Sequence, residues 1–265
     1  SHGYEVEQLW TTTRTLRGRH YAATLIDGRT LDVRVLDRDL AGGDFWHTVA
    51  RSVRVRGVGG MGMSLQRTLE RATLMSYAVS RSGVPVNEVV VVCQVGPGSA
   101  IVAAMRRPGA TLDSRRDTGV PLQPEQTRAV FAALRTLHAH DIALRSVTGM
   151  TFAVSAEGSV HITDASYGTV AADDVQRRLD VASTLVLIAG HTGAQACVDA
   201  ARVELGDAAV IAALPALQRF ALSPGARAEV ARRRGLLQEV QQLVAAIAPH
   251  APLADVRIER MRPRT

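Results

Sequence analysis

The side chains whose types and spacing could do chemistry here are Asp164, a basic residue at Arg34, Arg145, and the pair His138 and His140. A carboxylate placed just after a short apolar run, as Asp164 follows Val160-His161-Ile162, could hold a divalent cation or cap local backbone. Two histidines one residue apart could begin a metal site. No third ligand at a sensible spacing accompanies them, so a structural role is expected. Gly57-Val58-Gly59-Gly60-Met61-Gly62 fits the G-x-G-x-x-G pattern of a phosphate cradle opening a helix near Ser64. The preceding Arg54-Val55-Arg56 is a weak strand, and a linker is the better reading. The chain has no lysine, and all 31 of its basic residues are arginine. That excludes Schiff-base and P-loop lysine chemistry. Cys93 and Cys197 lie far apart in apolar surroundings and read as reduced core residues.

The elements that must position these groups follow from periodicity. Residues 16–39 read as strands, with Asp27-Gly28 as a hairpin turn and Leu31, Val33 and Val35 alternating with Asp32 and Arg34. A helix is predicted from about Ser64 to Ser80, on Leu65, Leu69, Ala72 and Tyr77, and Gly83-Val84-Pro85 stops it. Two apolar strands follow, Glu88 to Val95 and Ala100 to Met105, joined by Gly96-Pro97-Gly98. A polar stretch leads into a helix from about Pro124 to His140. Phe152–Val154 and Val160–Thr163 make a small hairpin, and the pattern from Asp174 to His250 is helical. The expected class is therefore α+β. A strand-rich unit with one helix spans 1–106, a helical unit spans 107–250, and a basic tail spans 251–265.

Residues 137–166 carry the sharpest pattern: Leu-His-Ala-His-Asp-Ile-Ala-Leu-Arg-Ser-Val-Thr-Gly-Met-Thr-Phe-Ala-Val-Ser-Ala-Glu-Gly-Ser-Val-His-Ile-Thr-Asp-Ala-Ser. This stretch resembles, without a gap, the catalytic-loop region of protein kinases. There a helix ends in Leu-His, an Ile-Val-His-Arg-Asp-type loop follows, and a hairpin leads to Asp-Phe-Gly. The resemblance places the loop histidine at Leu144, the loop arginine at Arg145, the catalytic aspartate at Ser146, the metal-binding asparagine at Thr151 and the Asp-Phe-Gly aspartate at Asp164. Arg34, in Leu31-Asp32-Val33-Arg34, falls where the family's third strand carries its phosphate-holding lysine. Glu70 is the candidate for the regulatory-helix glutamate that pairs with it. Asp180 resembles the aspartate that anchors the loop from below. Met105 and Arg106 fall at the inter-lobe hinge that would meet an adenine. Only Gly18, in Leu16-Arg17-Gly18-Arg19, stands for the glycine-rich loop, and the activation segment is cut to about a dozen residues.

The resemblance implies a bilobal protein-kinase-like fold, a small β-rich N-lobe on a larger helical C-lobe, from which the chemistry has gone. A serine at 146 is a poor proton acceptor, and loss of a general base typically forfeits about 10²–10⁴ in rate. One aspartate makes a weak magnesium site. Arg34 keeps the charge but brings a planar fork in place of a compact ammonium. The reading is a pseudokinase that has no metal and no catalytic residue, and either holds no cofactor or holds ATP without efficient use of magnesium.

Apolar residues make up 46% of the 265, enough for a sizeable core, and the formal charge is +6. Aromatics are few, so no stacking platform for nucleic acid stands out. No run of about 18 apolar residues and no signal peptide is visible. The opening Ser1-His2-Gly3 reads as a tag scar, so a fragment of a longer chain is expected. Arg257, Arg260, Arg262 and Arg264 read as a solvated tail or as a juxtamembrane cluster meeting an anionic membrane. Residues 249–265 are similar to the junction, in actinobacterial membrane proteins, between a degenerate kinase-like domain and a flippase-like domain of the lysylphosphatidylglycerol-synthase type. That similarity implies a regulatory or scaffolding domain on the cytoplasmic face of the cell membrane. Its partner would be the membrane portion of its own chain or another envelope protein. The rival readings are an atypical small-molecule phosphotransferase and a lipid-sensing module on the same scaffold.

Overall fold

The computed structural model describes residues 3–15, 18–37, 65–95 and 99–247. The Gly57–Gly62 stretch, Ser64, Leu16-Arg17, Gly96-Pro97-Gly98 and the four tail arginines lie outside them. The described chain is α+β, with two antiparallel sheets and eight α-helices. The first sheet has five strands: β1 (Val6–Thr15), β2 (Gly18–Leu25), β3 (Thr30–Asp37), β4 (Glu88–Val95) and β5 (Ser99–Met105), in the order β1-β2-β3-β5-β4. Helix α1 (Leu65–Arg81) comes between β3 and β4 in the chain. Period-2 alternation divides β5 between two clusters. Ala100 and Val102 pack with Leu69 of α1, while Ala103 packs with Ala23, Leu25 and Leu31. The Asp27-Gly28 turn forms as expected but is wider: Ile26 leaves the strand, Leu25 N–H reaches Arg29 O at 2.8 Å, and Gly28 takes a φ of 82°.

Three sequence expectations are corrected. Strand β1 was not foreseen, because it carries no alternating apolar face; its side chains from Glu5 to Thr11 are all exposed. In α1 the buried face is Leu69, Ala72, Met75 and Val79, and Tyr77 is turned to solvent. The polar stretch before residue 124 is structured, as β6 (Ala110–Thr111) and α2 (Leu112–Asp117).

The helical body begins with α3 (Pro124–Ala139), entered through Pro124. Gln126 Oε1 accepts the Gln123 N–H at 3.0 Å. Strands β7 (Phe152–Val154) and β8 (Val160–Ile162) join β6 in the second sheet. Then come α4 (Asp174–Thr192), α5 (Ala194–Leu205), α6 (Asp207–Ala212), α7 (Pro224–Arg232) and α8 (Leu236–Ile247). Ten consecutive residues of α4, Asp180 to Ala189, are buried, as a helix at the centre of a body must be. One large core runs from Met75 and Val79 of α1 through α3 and α4 to Val240 and Val244 of α8, so the two halves share their packing.

A polar staple joins α2, α4 and α7. Arg116 grips the buried Glu229 with both ends of its fork at 2.7 Å and lies 2.7 Å from His191 Nε2. A guanidinium can only donate, so His191 accepts through an unprotonated Nε2. Burial first, and then Arg116, push its pKa down from 6.5 to about 4. His20 and His161 are also lowered, chiefly by burial. An unfolded imidazole takes its proton near 6.5 and the folded ones resist, so this stability is complete above 6.5 and falls as the pH drops. We predict that the urea midpoint declines between about pH 7.5 and 5.5, and that His191→Gln flattens the decline. A midpoint level across that window in the wild type would contradict the assignment. Asp32 and Asp113, raised by burial, act in the opposite sense, at more acid pH.

Candidate functional site

The loop after α3 is held from beneath by one side chain. Asp180, 1% exposed, accepts the Leu144 N–H through Oδ2 at 2.5 Å and the Arg145 N–H through Oδ1 at 2.7 Å. Arg145 sits at a φ of 60°, a conformation that costs an L-residue about 1–2 kcal/mol. Two charge-assisted hydrogen bonds offset that. His140 Nδ1 lies 2.9 Å from Thr136 O, while the buried His138 Nε2 lies 3.6 Å from Asp180 Oδ2, beyond hydrogen-bond reach. Among the described residues no group of three or more His, Cys, Asp or Glu could hold a metal ion.

Ser146 is 8% exposed, and its Oγ meets no hydrogen-bond partner. Thr151 spends its hydroxyl inside the loop: Oγ1 accepts the Thr148 N–H at 2.9 Å, while its own N–H donates to Thr148 O. Its side chain is buried and serves a turn.

Asp164 follows β8, and Arg34 lies on β3, in register with His20 of β2 and Val102 of β5. Their side chains meet, at 17% and 30% exposure for Arg34 and Asp164. Arg34 Nη1 donates to Asp164 Oδ2 at 2.6 Å and Nη2 to Oδ1 at 3.0 Å. Ser166 adds its N–H at 2.8 Å and its hydroxyl at 2.5 Å, both to Oδ1. The same Ser166 Oγ accepts from Arg34 Nη2 at 2.7 Å. Burial alone would raise the Asp164 carboxyl. Arg34 and Ser166 outweigh it and hold the carboxyl below its ordinary range. Burial likewise opposes the charge on Arg34, and Asp164 and Tyr167 more than restore it.

The carboxylate that engages Arg34 is thus Asp164, where Glu70 was expected. Glu70 is exposed, one position out of phase with the buried face of α1. The neighbouring Arg71 turns inward and donates to Gly168 O and Tyr167 O. Sequence reasoning missed His20, Arg71 and Ser166. Only the alternation of β2 and β3, which stacks His20 beside Arg34, carried a signal for any of them.

No protein-family model matches the chain, and no curated protein matches it. No helix among the described residues is long and apolar enough to cross a membrane.

The proposed hinge is also spent internally. Met105 pairs with Leu31 and Glu88 in the sheet. The Arg106 N–H donates to Thr30 O at 2.8 Å and the Arg107 N–H to Asn87 Oδ1 at 3.0 Å. Asn87 Nδ2 in turn donates to Asp32. Both backbone donors are therefore already taken. Two cavities, of about 690 and 470 Å³, open elsewhere, where Thr192, Ala196 and Asp199 line both; neither is lined by Arg34, Ser146, Thr151, Asp164 or the hinge residues. Chemistry, and not volume, marks Asp164 as the candidate site. Both cysteines are free, and burial raises the Cys197 thiol far above its ordinary value.

Removing Asp180 strands two N–H groups under the loop and releases the Arg145 backbone. We expect Asp180→Ala to lose roughly 2–5 kcal/mol in urea unfolding, with Asp180→Asn between it and the wild type. A loss below about 0.5 kcal/mol, the scale of ordinary surface changes, would show that the clamp does not hold the loop.

Proposed function

We propose that this chain is a bilobal, protein-kinase-like domain without phosphotransferase activity, a pseudokinase that works as a regulatory or scaffolding module. The element order supports the reading. A third strand carries the basic residue Arg34, and a helix and two strands follow it. A later helix ends in Leu137-His138. The loop, the hairpin, Asp164 and a long helix bearing Asp180 then come in the sequence the resemblance implies. The observation that carries the inactivity is the state of Asp164: its four hydrogen bonds all come from Arg34 and Ser166. Three of the four converge on Oδ1 and one on Oδ2, so a cation approaching Oδ2 must do so beside the Arg34 guanidinium.

ATP with magnesium does not fit these residues. Transfer of a phosphoryl group needs metal ions, a basic clamp on the phosphates and a carboxylate to take the hydroxyl proton. Here the clamp is paired to the metal ligand, the base position holds a buried hydroxyl, and the hinge donors are engaged. A domain of this kind acts by binding a protein. The partner we infer is the membrane portion of a longer chain, or another envelope protein, at the cytoplasmic face of a bacterial membrane. The arginines at 257, 260, 262 and 264 would meet anionic lipid there.

The test is transfer of labelled γ-phosphate, alongside melting with ATP in the presence and absence of magnesium, on the wild type and on Asp164→Asn. We expect no transfer by either protein and no magnesium-dependent stabilisation, although a bound ligand at about 100 times its Kd would add about 2.7 kcal/mol. Transfer by the wild type that Asp164→Asn abolishes would sink the proposal and favour the small-molecule phosphotransferase.

A further inference from the structure

The short segment from Asp164 to Thr169 is gripped from three sides. From the sheet, Arg34 forks onto Asp164 and reaches Ser166. From α1, Arg71 donates to Gly168 O through Nε at 2.9 Å and Nη2 at 2.5 Å, and to Tyr167 O at 3.1 Å. From the loop beneath, Ala143 exchanges both backbone hydrogen bonds with Thr169, at 3.0 and 2.8 Å. Asp141 O then accepts the Ala172 N–H at 2.8 Å. Gly168 is pressed into the junction. A Cβ there would overlap the Met75 methyl of α1 and the carbonyl oxygens of Ala143 and Ala165. The crowding is steric, so a side chain there would need the Met75 methyl and the loop carbonyls of Ala143 and Ala165 to give way.

We propose that Asp164–Thr169 is a permanent rivet between the sheet-and-α1 half and the helical body, closed by Arg34 and Arg71 and indifferent to nucleotide and divalent metal. This deepens the scaffold reading above and rests on it for its biological meaning, though its geometry stands alone. Two arginines from different elements hold one segment of six residues. Swinging α1 out must break the Arg71 bonds to the carbonyls, and lifting the sheet must break the fork on Asp164. The segment is too short for either to open without pulling on the other. A ligand can shift an equilibrium only through groups that it binds differently in the two states. Asp164 is already engaged, by Arg34 through both oxygens and by Ser166 through Oδ1. The domain therefore presents one constant shape, with α1 held in.

The test is amide hydrogen exchange on the whole chain, read in peptides covering β3, α1 and residues 164–172. The wild type should protect the amides of Ser166, Gly168 and Thr169 strongly, and ATP with magnesium should leave that protection unchanged. Arg34→Gln should speed exchange about 10-fold in α1 as well as in the segment, and Arg71→Gln about 10-fold in β3 as well as in the segment, the scale of one lost charge-assisted pair. Exchange near the free-chain rate in the wild type, a change on adding ATP and magnesium, or an effect confined to the mutated element would each overturn the rivet. If a glutamine variant fails to fold, Arg34→Lys and Arg71→Lys keep the charge without the fork, and a smaller acceleration on both sides is expected. No acceleration in the lysine variants would overturn it too. The failures are separable. A fast-exchanging segment leaves the absence of phosphate transfer standing, and phosphate transfer by a slow-exchanging protein removes the pseudokinase reading alone.

Discussion

Both oxygens of Asp164 are engaged from within the chain, Oδ1 by Arg34 and Ser166 and Oδ2 by Arg34. That pairing constrains everything around it. A cation arriving at Asp164 must compete with a guanidinium that is only 17% exposed and is held in a two-point fork. A phosphate arriving at Arg34 must compete with the same carboxylate. Each group is the other's counterion, and the pair spans from the third strand of the sheet to the end of β8 in the helical body. The contact that occupies both groups is therefore also one that joins the two halves.

In the loop after α3 the backbone is set by a buried carboxylate under two N–H groups, the second of which belongs to the strained Arg145. Strain of that kind persists only where the surroundings over-determine it. Yet the side chains that the loop presents have turned inward. The Ser146 hydroxyl is enclosed, and the Thr151 hydroxyl closes its own turn. The shape of the loop is stabilised by Asp180 of α4 beneath it and by the hydrogen bonds within its own turn.

Much of this was legible in the residues. The α+β class, the strands from Glu88 and Ala100, the helix opening at Pro124 and the small hairpin follow from periodicity and turn residues, and each stands in the structure within a residue or two. Helix phase was harder. On α1, Tyr77 fits a helical spacing with Leu69 and yet faces solvent, because Met75 and Val79 complete a better stripe. The same phase error makes Glu70 look like the inward residue when Arg71 is. Strand β1 was hidden because its sequence has no apolar alternation, and a strand whose side chains are exposed from Val6 to Thr11 needs none. The partner of Arg34 was illegible for a plainer reason. It lies 130 residues away, and three-dimensional closure, not local pattern, decides which of two carboxylates it meets.

The absence of lysine gives these contacts their form. A lysine at 34 would bring a single ammonium point to Asp164 and leave part of the carboxylate open to metal or water. Arginine brings a rigid fork that matches both oxygens at once. The same two-pronged grip recurs where Arg116 holds Glu229 and where Arg202 holds Asp207. At the exposed pair this adds little, since solvent screens it. At position 34, half enclosed between the sheet and the helical body, it ties two parts of the fold together. An arginine-only composition, whatever its origin, makes that outcome easy to reach: wherever a carboxylate lies within range, the cation available to meet it is one that takes both of its oxygens.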